Sequence, residues 1–138
     1  MTFLQFHQAI SGRIAEWLAS YEPNLPVDWD NAPASPQLKA AWEGKGAAWI
    51  RPVVAVADTA TASIGHKPNS RTEGLVQIQV FVPENATIRR ALEIGDSLGQ
   101  HLEHWRSGSL ATDCYSVNRS GTSDGWFMAV VSVPFTAG

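Results

Sequence analysis

Apolar and polar residues alternate along two segments of the chain, and each segment closes on Val-Pro. In the first, residues 74–83, four aliphatic side chains occupy every second position, whereas residues 125–134 carry apolar side chains on both sides. A period of two predicts a strand with one wet face for the first segment and a central or doubly covered strand for the second. Because proline has no N–H to donate to a ladder, Pro83 and Pro134 are predicted to be strand ends.

Two other stretches repeat at the helical spacing of three and four residues. The first covers roughly residues 1–21 and is stopped by Pro23. The second lies between the two Val-Pro segments and carries an apolar stripe over residues 88–105, about five turns. Thr87 is a candidate N-cap for this helix, and Gly108 lies just past its predicted end.

A third strand is predicted for residues 48–57, where Pro52 indicates an edge position or a bulge. Residues 58–73 follow and contain almost no apolar side chain, so they separate two strands that can pair as a hairpin. A connection of this length without structure is uncommon inside a domain. We therefore interpret residues 58–73 either as a flexible spacer or as an arm that binds a partner.

The remaining segments are less regular. Residues 23–47 are rich in Pro, Ala, Asn and Gly and are predicted to be an excursion with one brief strand near residues 27–29. Residues 111–119 predict a weaker strand, and residues 120–125 a hairpin turn. The order of elements predicts an α+β domain over all 138 residues, with a mixed or mainly antiparallel sheet of four to five strands, two helices packed against it and a long β-hairpin loop.

Composition narrows the class of protein. A chain of 138 residues with 44% hydrophobic content suits one domain, and its single cysteine excludes an internal disulfide. The sequence shows neither a signal peptide nor an apolar run of roughly 18 residues, so we expect a soluble protein of a reducing cytoplasm that does not bind membranes. A net charge of −3 argues against affinity based on phosphate neutralisation, and the one adjacent basic pair, Arg89 and Arg90, is interpreted as a solvated helix turn.

Several residues are candidates for catalytic or metal-binding groups. Ser123 lies in a Gly-x-Ser-x-Gly pattern, but the segment that follows alternates as a strand, which favours a hairpin turn over a nucleophile elbow. His101 and His104 stand three apart on the predicted second helix without a third ligand, which favours surface histidines. Cys114 is predicted to be a small buried hydrophobe in a strand. Asp28 and Asp30 are interpreted as surface or capping acids. No catalytic, cofactor-binding or metal-binding residue is therefore predicted.

Six tryptophans are many for a chain of this length. Four of them, Trp29, Trp42, Trp49 and Trp126, lie outside the predicted helices, in or beside predicted strands. Packing in the core of a small sheet accounts for most of them, although tryptophan also anchors contacts between subunits.

The whole order of elements resembles that of the phage tail terminator-like family, small proteins of tailed phages and prophages. The resemblance covers nearly the whole chain. It includes the central helix and five short segments: residues 27–31 (VDWDN), 49–52 (WIRP), 74–83 (GLVQIQVFVP), 125–126 (GW) and 133–135 (VPF).

The resemblance implies a non-enzymatic virion assembly protein without cofactors. Such a protein forms a ring, typically a homo-hexamer, that caps the tail tube, ends tail polymerisation and joins the head. Its partners would be its own copies, the tail tube protein and a head-tail connector protein, without sequence-specific nucleic acid binding. It would assemble in the bacterial cytoplasm and remain in the virion tail. The exposed face of the first helix and the last strand are the candidate subunit surfaces.

Two alternatives stay open from the sequence. A neck or tail-tube protein of related fold needs a similar sheet and similar ring contacts. A small-ligand-binding or hydrolytic domain would need a pocket with convergent polar groups, for which Ser123, His101 and Asp113 are the first residues to consider.

Overall fold

A computed structural model of the protein describes residues 1–61, 70–85 and 87–138. Within these ranges the chain forms three helices and six strands. The helices are α1 (Phe3–Tyr21), α2 (Pro36–Gly44) and α3 (Ile88–Leu102). The strands are β1 (Trp49–Thr61), β2 (Ser70–Pro83), β3 (Arg106–Ser107), β4 (Leu110–Thr112), β5 (Ser116–Ser123) and β6 (Trp126–Ala137).

All six strands join one antiparallel sheet. Its order is β1-β2-β6-β4-β3, and β5 pairs with β6 on the same side as β4. β6 is therefore central, as its two apolar sides predicted, and β1 is an edge strand, as Pro52 predicted. The predicted α+β class is confirmed, although the sheet has more strands than the four to five expected and the described chain has a third helix.

Helices α1 and α3 cover one face of the sheet. The period-two pattern of β2 turns Val76, Ile78, Val80 and Val82 toward this layer, and all four are fully buried. The apolar stripes of the helices supply the other half of the core. The buried helix residues are Phe6, Ile10, Ile14 and Trp17 from α1, and Ala91, Ile94, Leu98 and Leu102 from α3.

Helix α2 forms a second, smaller apolar cluster at one end of the opposite face. There Leu38 and Ala41 pack with Trp49 and Trp126, which start β1 and β6. The sequence prediction missed this helix within residues 23–47. Its start nevertheless carries a recognisable signal, because Ser35 caps it by accepting the Leu38 N–H and Pro36 occupies its first turn.

Strands β1 and β2 form the predicted hairpin, with a register that runs from Trp49 opposite Phe81 to Thr61 opposite Ser70. A bulge between Val56 and Asp58 interrupts this register. The polar segment 58–73 is thus strand at both ends and not a loop throughout. Its middle, residues 62–69, lies outside the described residues, so the interpretation of the segment as a spacer or an arm stays a prediction.

One of the two proline predictions was right and the other was wrong. Strand β2 ends at Pro83, whereas β6 continues through Pro134 to Ala137. The carbonyl of Pro134 accepts the Asp113 N–H at 2.8 Å, so this residue directs its backbone toward the edge at which β4 gives way to β5. A missing N–H is tolerated there because the neighbouring strand changes at that point.

The end of α3 was also predicted wrongly. The helix stops at Leu102, because Glu103 is extended and His104 has a positive φ of 50°. The apolar spacing continues to Trp105, but that side chain packs from outside the helix, beneath the guanidinium of Arg13 at 5.2 Å. Thr87 stands at the predicted N-cap position without a side-chain capping bond.

Candidate functional site

Ser123 ends strand β5 directly opposite Trp126 of β6. The two residues between them, Asp124 and Gly125, have positive φ angles of 54° and 83°. Two central residues with positive φ are typical of the tight turn that joins antiparallel strands. The predicted hairpin turn is confirmed, and the Gly-x-Ser-x-Gly pattern has no nucleophile elbow around it.

His101 lies in the last turn of α3 and contacts α1. Its carbonyl accepts a hydrogen bond from Arg13 Nε at 3.1 Å, and its Nε2 lies 4.0 Å from a carboxylate oxygen of Glu16. Burial and the positive charge of Arg13 lower the pKa of His101. His104 lies beyond the helix and is exposed, so the predicted spacing of two histidines on one helix does not exist. No group of three or more metal-ligating side chains occurs among the residues that the structure describes.

Asp113 and Cys114 occupy the connection between β4 and β5. Asp113 accepts the Cys114 backbone N–H at 2.8 Å, a local contact that shapes the connection. Cys114 is exposed, and the prediction of a buried strand cysteine was wrong because the chain leaves the sheet edge at this point. The depression that Asp113 lines includes neither Ser123 nor His101, so these three residues do not converge there.

Three of the charged residues considered in the sequence, Asp28, Arg89 and Arg90, have ion-pair partners. Asp28 pairs with Arg51 at 2.9 Å and so ties the 27–31 segment to the edge strand β1. Asp30 is exposed. On α3, Arg89 pairs with Glu93 at 2.8 Å, and Arg90 pairs with Glu22 at 2.5 Å. Both arginines are thus neutralised by carboxylates, which weakens any attraction to phosphate.

The tryptophans that the sequence placed outside the helices pack mainly against one another and against the sheet, although Trp42 belongs to α2. Trp49 stacks on Phe81 at 4.0 Å between ring centroids and meets Trp42 and Trp126 edge to face. Arg51 lies 5.1 Å from the centre of the Trp49 ring. These contacts are those of a small core, as the sequence predicted for most of the tryptophans.

Exposed apolar side chains concentrate at the start of α1. Met1, Phe3 and Leu4, which we call the α1 start patch, are 39%, 56% and 65% exposed. Phe3 and Leu4 belong to the apolar stripe predicted over residues 1–21, but this stripe is wider than the face of α1 that meets the sheet. Large apolar side chains left together on a surface indicate a contact with another molecule.

A second candidate surface is the sheet face opposite α1 and α3, beyond the part that α2 covers. We call it the open sheet face, and its side chains are half-buried or exposed. They are Val53, Ala55, Leu75, Gln77, Met128, Val130 and Ser132. At one end this face borders a depression of about 570 Å³ lined by Arg71, Glu73 and Asp113. Of the strands that form this face, the sequence predicted a subunit surface only for the last strand, β6, because both of its sides are apolar.

None of the described helices combines the length and the apolarity needed to cross a lipid bilayer. In the part of the chain that the structure describes, the candidate functional features are the α1 start patch and the open sheet face.

Comparison with other proteins agrees with this description. A solved structure with 23% sequence identity superposes with a TM-score of 0.72, covering 100% of this chain and 96% of that chain, and this likeness concerns the fold. No curated protein matches the sequence. A family model described as phage tail terminator protein matches residues 5–135, nearly the whole chain. The resemblance seen in the sequence is confirmed, and the chain belongs to the phage tail terminator family.

Proposed function

We propose that this protein forms a ring that caps the finished tail tube, ends tail polymerisation and presents the surface to which the head is joined. The observation that carries the proposal is the family match over residues 5–135, which gives the chain a role in phage tail assembly. The family is one of structural tail proteins and not a known enzyme family. The proposal adds the ring, its capping action and its partners, a tail tube protein and a head-tail connector protein.

The surfaces of the molecule support a ring. Copies related by rotation meet head to tail, so each copy must offer two different patches. The α1 start patch and the open sheet face lie on different parts of the molecule, and both leave apolar side chains in solvent. Each copy must also contact the end of the tail tube. A small domain with several exposed surfaces can contact both the neighbouring copies and the tube.

Charge also supports passage of DNA through such a ring. The net charge of −3 gives the chain no general attraction to phosphate, and the adjacent Arg89 and Arg90 are each paired with a glutamate. A channel that binds phosphates weakly lets DNA slide past, whereas a dense basic lining would hold it.

The test measures the mass of the purified protein by light scattering over a range of concentrations and examines it by negative-stain microscopy with and without tail tubes. Closed rings that bind tube ends and stop tube growth are the expected result. Long filaments of the protein alone would instead indicate a tube protein. A monomer that leaves tubes unaffected would overturn the proposal.

A further inference from the structure

The outer edge of β1 carries backbone groups that point away from the sheet. Ile50 exchanges two hydrogen bonds with residues 26–28 on this side, at 3.1 Å and 2.8 Å. Alternate residues of a strand direct their N–H and C=O groups to the same side. Pro52, Val54 and Val56 therefore direct their backbone groups away from β2 as well, and Pro52 costs no hydrogen bond to β2 because its missing N–H would point away from that strand.

The outer edge of β5 has the same property on the other side of the sheet. The N–H of Tyr115 points away from β6 and donates to a carboxylate oxygen of Glu103 at 3.2 Å. By the same alternation, Val117 and Arg119 direct their backbone groups outward, up to the irregularity that follows Arg119. Apart from the contacts of Ile50 and Tyr115, no strand among the described residues forms hydrogen bonds with the outward-facing backbone groups of either edge.

The two edges match in direction and in face. Strands β1, β2, β6 and β5 alternate in direction, so β1 and β5 are antiparallel to each other. One row of the sheet runs through Ile50, Val80, Ala129 and Arg119. Directly paired residues have their side chains on the same face of a sheet, and Ile50, Val80 and Ala129 are buried under α1 and α3, so the outward-facing residues at both edges lie on the helix side. A copy of β5 placed beside β1 would thus continue the antiparallel pattern and keep all helices on one side.

We propose that β1 of one copy pairs with β5 of the next copy, so that the sheet runs continuously from subunit to subunit. The pairing exchanges hydrogen bonds at two places, Val54 with Arg119 and Val56 with Val117. The contact is head to tail, so copies that repeat it by a rotation about one axis form a closed ring. This inference rests on the proposed ring and assigns the backbone contact between copies to the β1 and β5 edges. The α1 start patch and the open sheet face then remain for additional contacts with the neighbouring copy or with the tail tube.

Charge supports this register. Trp29, Asp30 and Val54 line the same small cavity beside the β1 edge. Arg119 is exposed, and its guanidinium lies 5.9 Å from the Phe127 ring centre. Pairing of Arg119 with Val54 brings this cation close to Asp30 of the neighbouring copy. Neither residue has an ion-pair partner in the described part of its own chain.

A cysteine pair tests the contact directly. Val56→Cys and Val117→Cys are introduced together into a chain in which Cys114→Ser removes the native thiol. Within one copy three strand spacings, about 14 Å, separate the two edges, which is too far for a disulfide. Mild oxidation should therefore give a ladder of covalent multimers that ends at the size of the ring. The matched control replaces Val117→Cys with Asn118→Cys, whose side chain lies on the opposite face, and should give no ladder.

A charge exchange tests the register without new covalent bonds. Arg119→Glu and Asp30→Arg should each raise the dissociation constant of the ring about fivefold or more, because each places like charges together. The double variant restores the opposite charges and should recover most of the affinity. Light scattering and circular dichroism at each step separate loss of assembly from loss of folding.

The outcomes distinguish this inference from the function on which it rests. If the wild-type protein forms rings that cap tubes, but the cysteine pair gives no ladder and the double charge variant shows no recovery, the edge pairing is wrong and the capping function stands. If the wild-type protein stays monomeric and leaves tubes unaffected, both are overturned. A ladder together with recovery in the double variant supports the pairing.

Discussion

The ring of Tyr115 lies against the backbone of Gly99, so that helix α3 and the start of β5 meet without a side chain between them. A Cβ at Gly99 would lie 2.9 Å from Tyr115 Cε2 and closer still to two other ring atoms. The Tyr115 hydroxyl is held by Asp96 at 3.0 Å, so the ring has little freedom to move aside. Nearer the middle of the helix, Gly95 makes a similar but looser approach to Val117.

Gly99→Ala should therefore destabilise the fold by about 1 to 3 kcal/mol, the usual cost of overpacking, even though alanine favours helices. Urea unfolding followed by circular dichroism measures the change. Gly12→Ala is the matched control, since nothing lies within 4 Å of the added methyl group on α1. It should leave stability unchanged or raise it by up to about 1 kcal/mol. Equal effects at the two positions would contradict this packing.

Thr112→Val should cost about 1 to 3 kcal/mol of folding free energy. The buried hydroxyl of Thr112 accepts a hydrogen bond from the Trp105 N–H at 2.8 Å and donates one to the Leu102 carbonyl at 2.5 Å. Its loss leaves these two backbone groups at the end of α3 without their hydrogen-bond partner. Thermal unfolding of the variant checks the loss. Thr136→Val replaces a half-buried threonine on β6 and should change stability by less than about 0.5 kcal/mol.

Leu38→Ala should detach α2 from the second apolar cluster. Leu38 is completely buried among Trp49, Trp126 and Ala41, and removal of such a side chain typically costs about 2 to 5 kcal/mol. Denaturant unfolding, with tryptophan fluorescence as the signal, measures the loss. The neighbouring exposed residue gives the control, because Lys39→Ala should alter the free energy of unfolding by less than about 0.5 kcal/mol. A neutral result for Leu38→Ala would mean that α2 contributes little to the fold.

Acid should weaken the fold partly through His101. Burial and Arg13 lower its pKa below the ordinary 6.5, while Glu16 opposes them, so the unfolded chain binds the proton more tightly than the folded chain. Stability from this residue is complete above about pH 6.5 and is lost as the pH falls from there toward the lower pKa of the folded state. Tm measured at about pH 7.5 and 5.0 should decrease less in His101→Gln than in the wild type. An identical decrease would exclude this role.

The α1 start patch should serve assembly and not folding. Leu4 is 65% exposed, so Leu4→Gln should change stability by less than about 0.5 kcal/mol. In the proposed assembly the same change should reduce capping of tail tubes, which counting of capped ends by negative-stain microscopy measures. Gln8→Glu on the exposed side of α1 is the control and should cap normally. Normal capping by Leu4→Gln would remove this patch from the contact surface.

Periodicity predicted the parts of the fold in which one face of an element is buried along its full length. Helix α1, strand β2 and the start of α3 have such faces. Periodicity failed where a side chain is buried for another reason. Trp105 continues the spacing of α3 but packs against Arg13 from beyond the helix end, and only the backbone of Glu103 and His104 reveals the stop.

The candidate surfaces were only partly predictable. Exposure of Phe3 and Leu4 depends on how wide a face of α1 meets the sheet, which the apolar stripe does not specify. The free edges depend on which strands become neighbours. The hairpin turn predicted at residues 120–125 already placed β5 beside β6, but the position of β5 at the edge opposite β1 followed only from the whole topology. Pro52 was the exception, because a residue without an N–H already marks the side of a strand that can lack a partner.

The bulge after Val56 changes which side chains of β1 face the helices. Before it, Val54 and Val56 are on the helix side, whereas beyond it Thr59 lies opposite the buried Thr72, with 3.4 Å between their hydroxyl oxygens. The inserted residue thus reverses the alternation of β1 side chains while its pairing with β2 continues to Thr61. Substitutions or changes of length beyond Thr59 can redirect what the hairpin reaches without shifting the strand register on which the core depends.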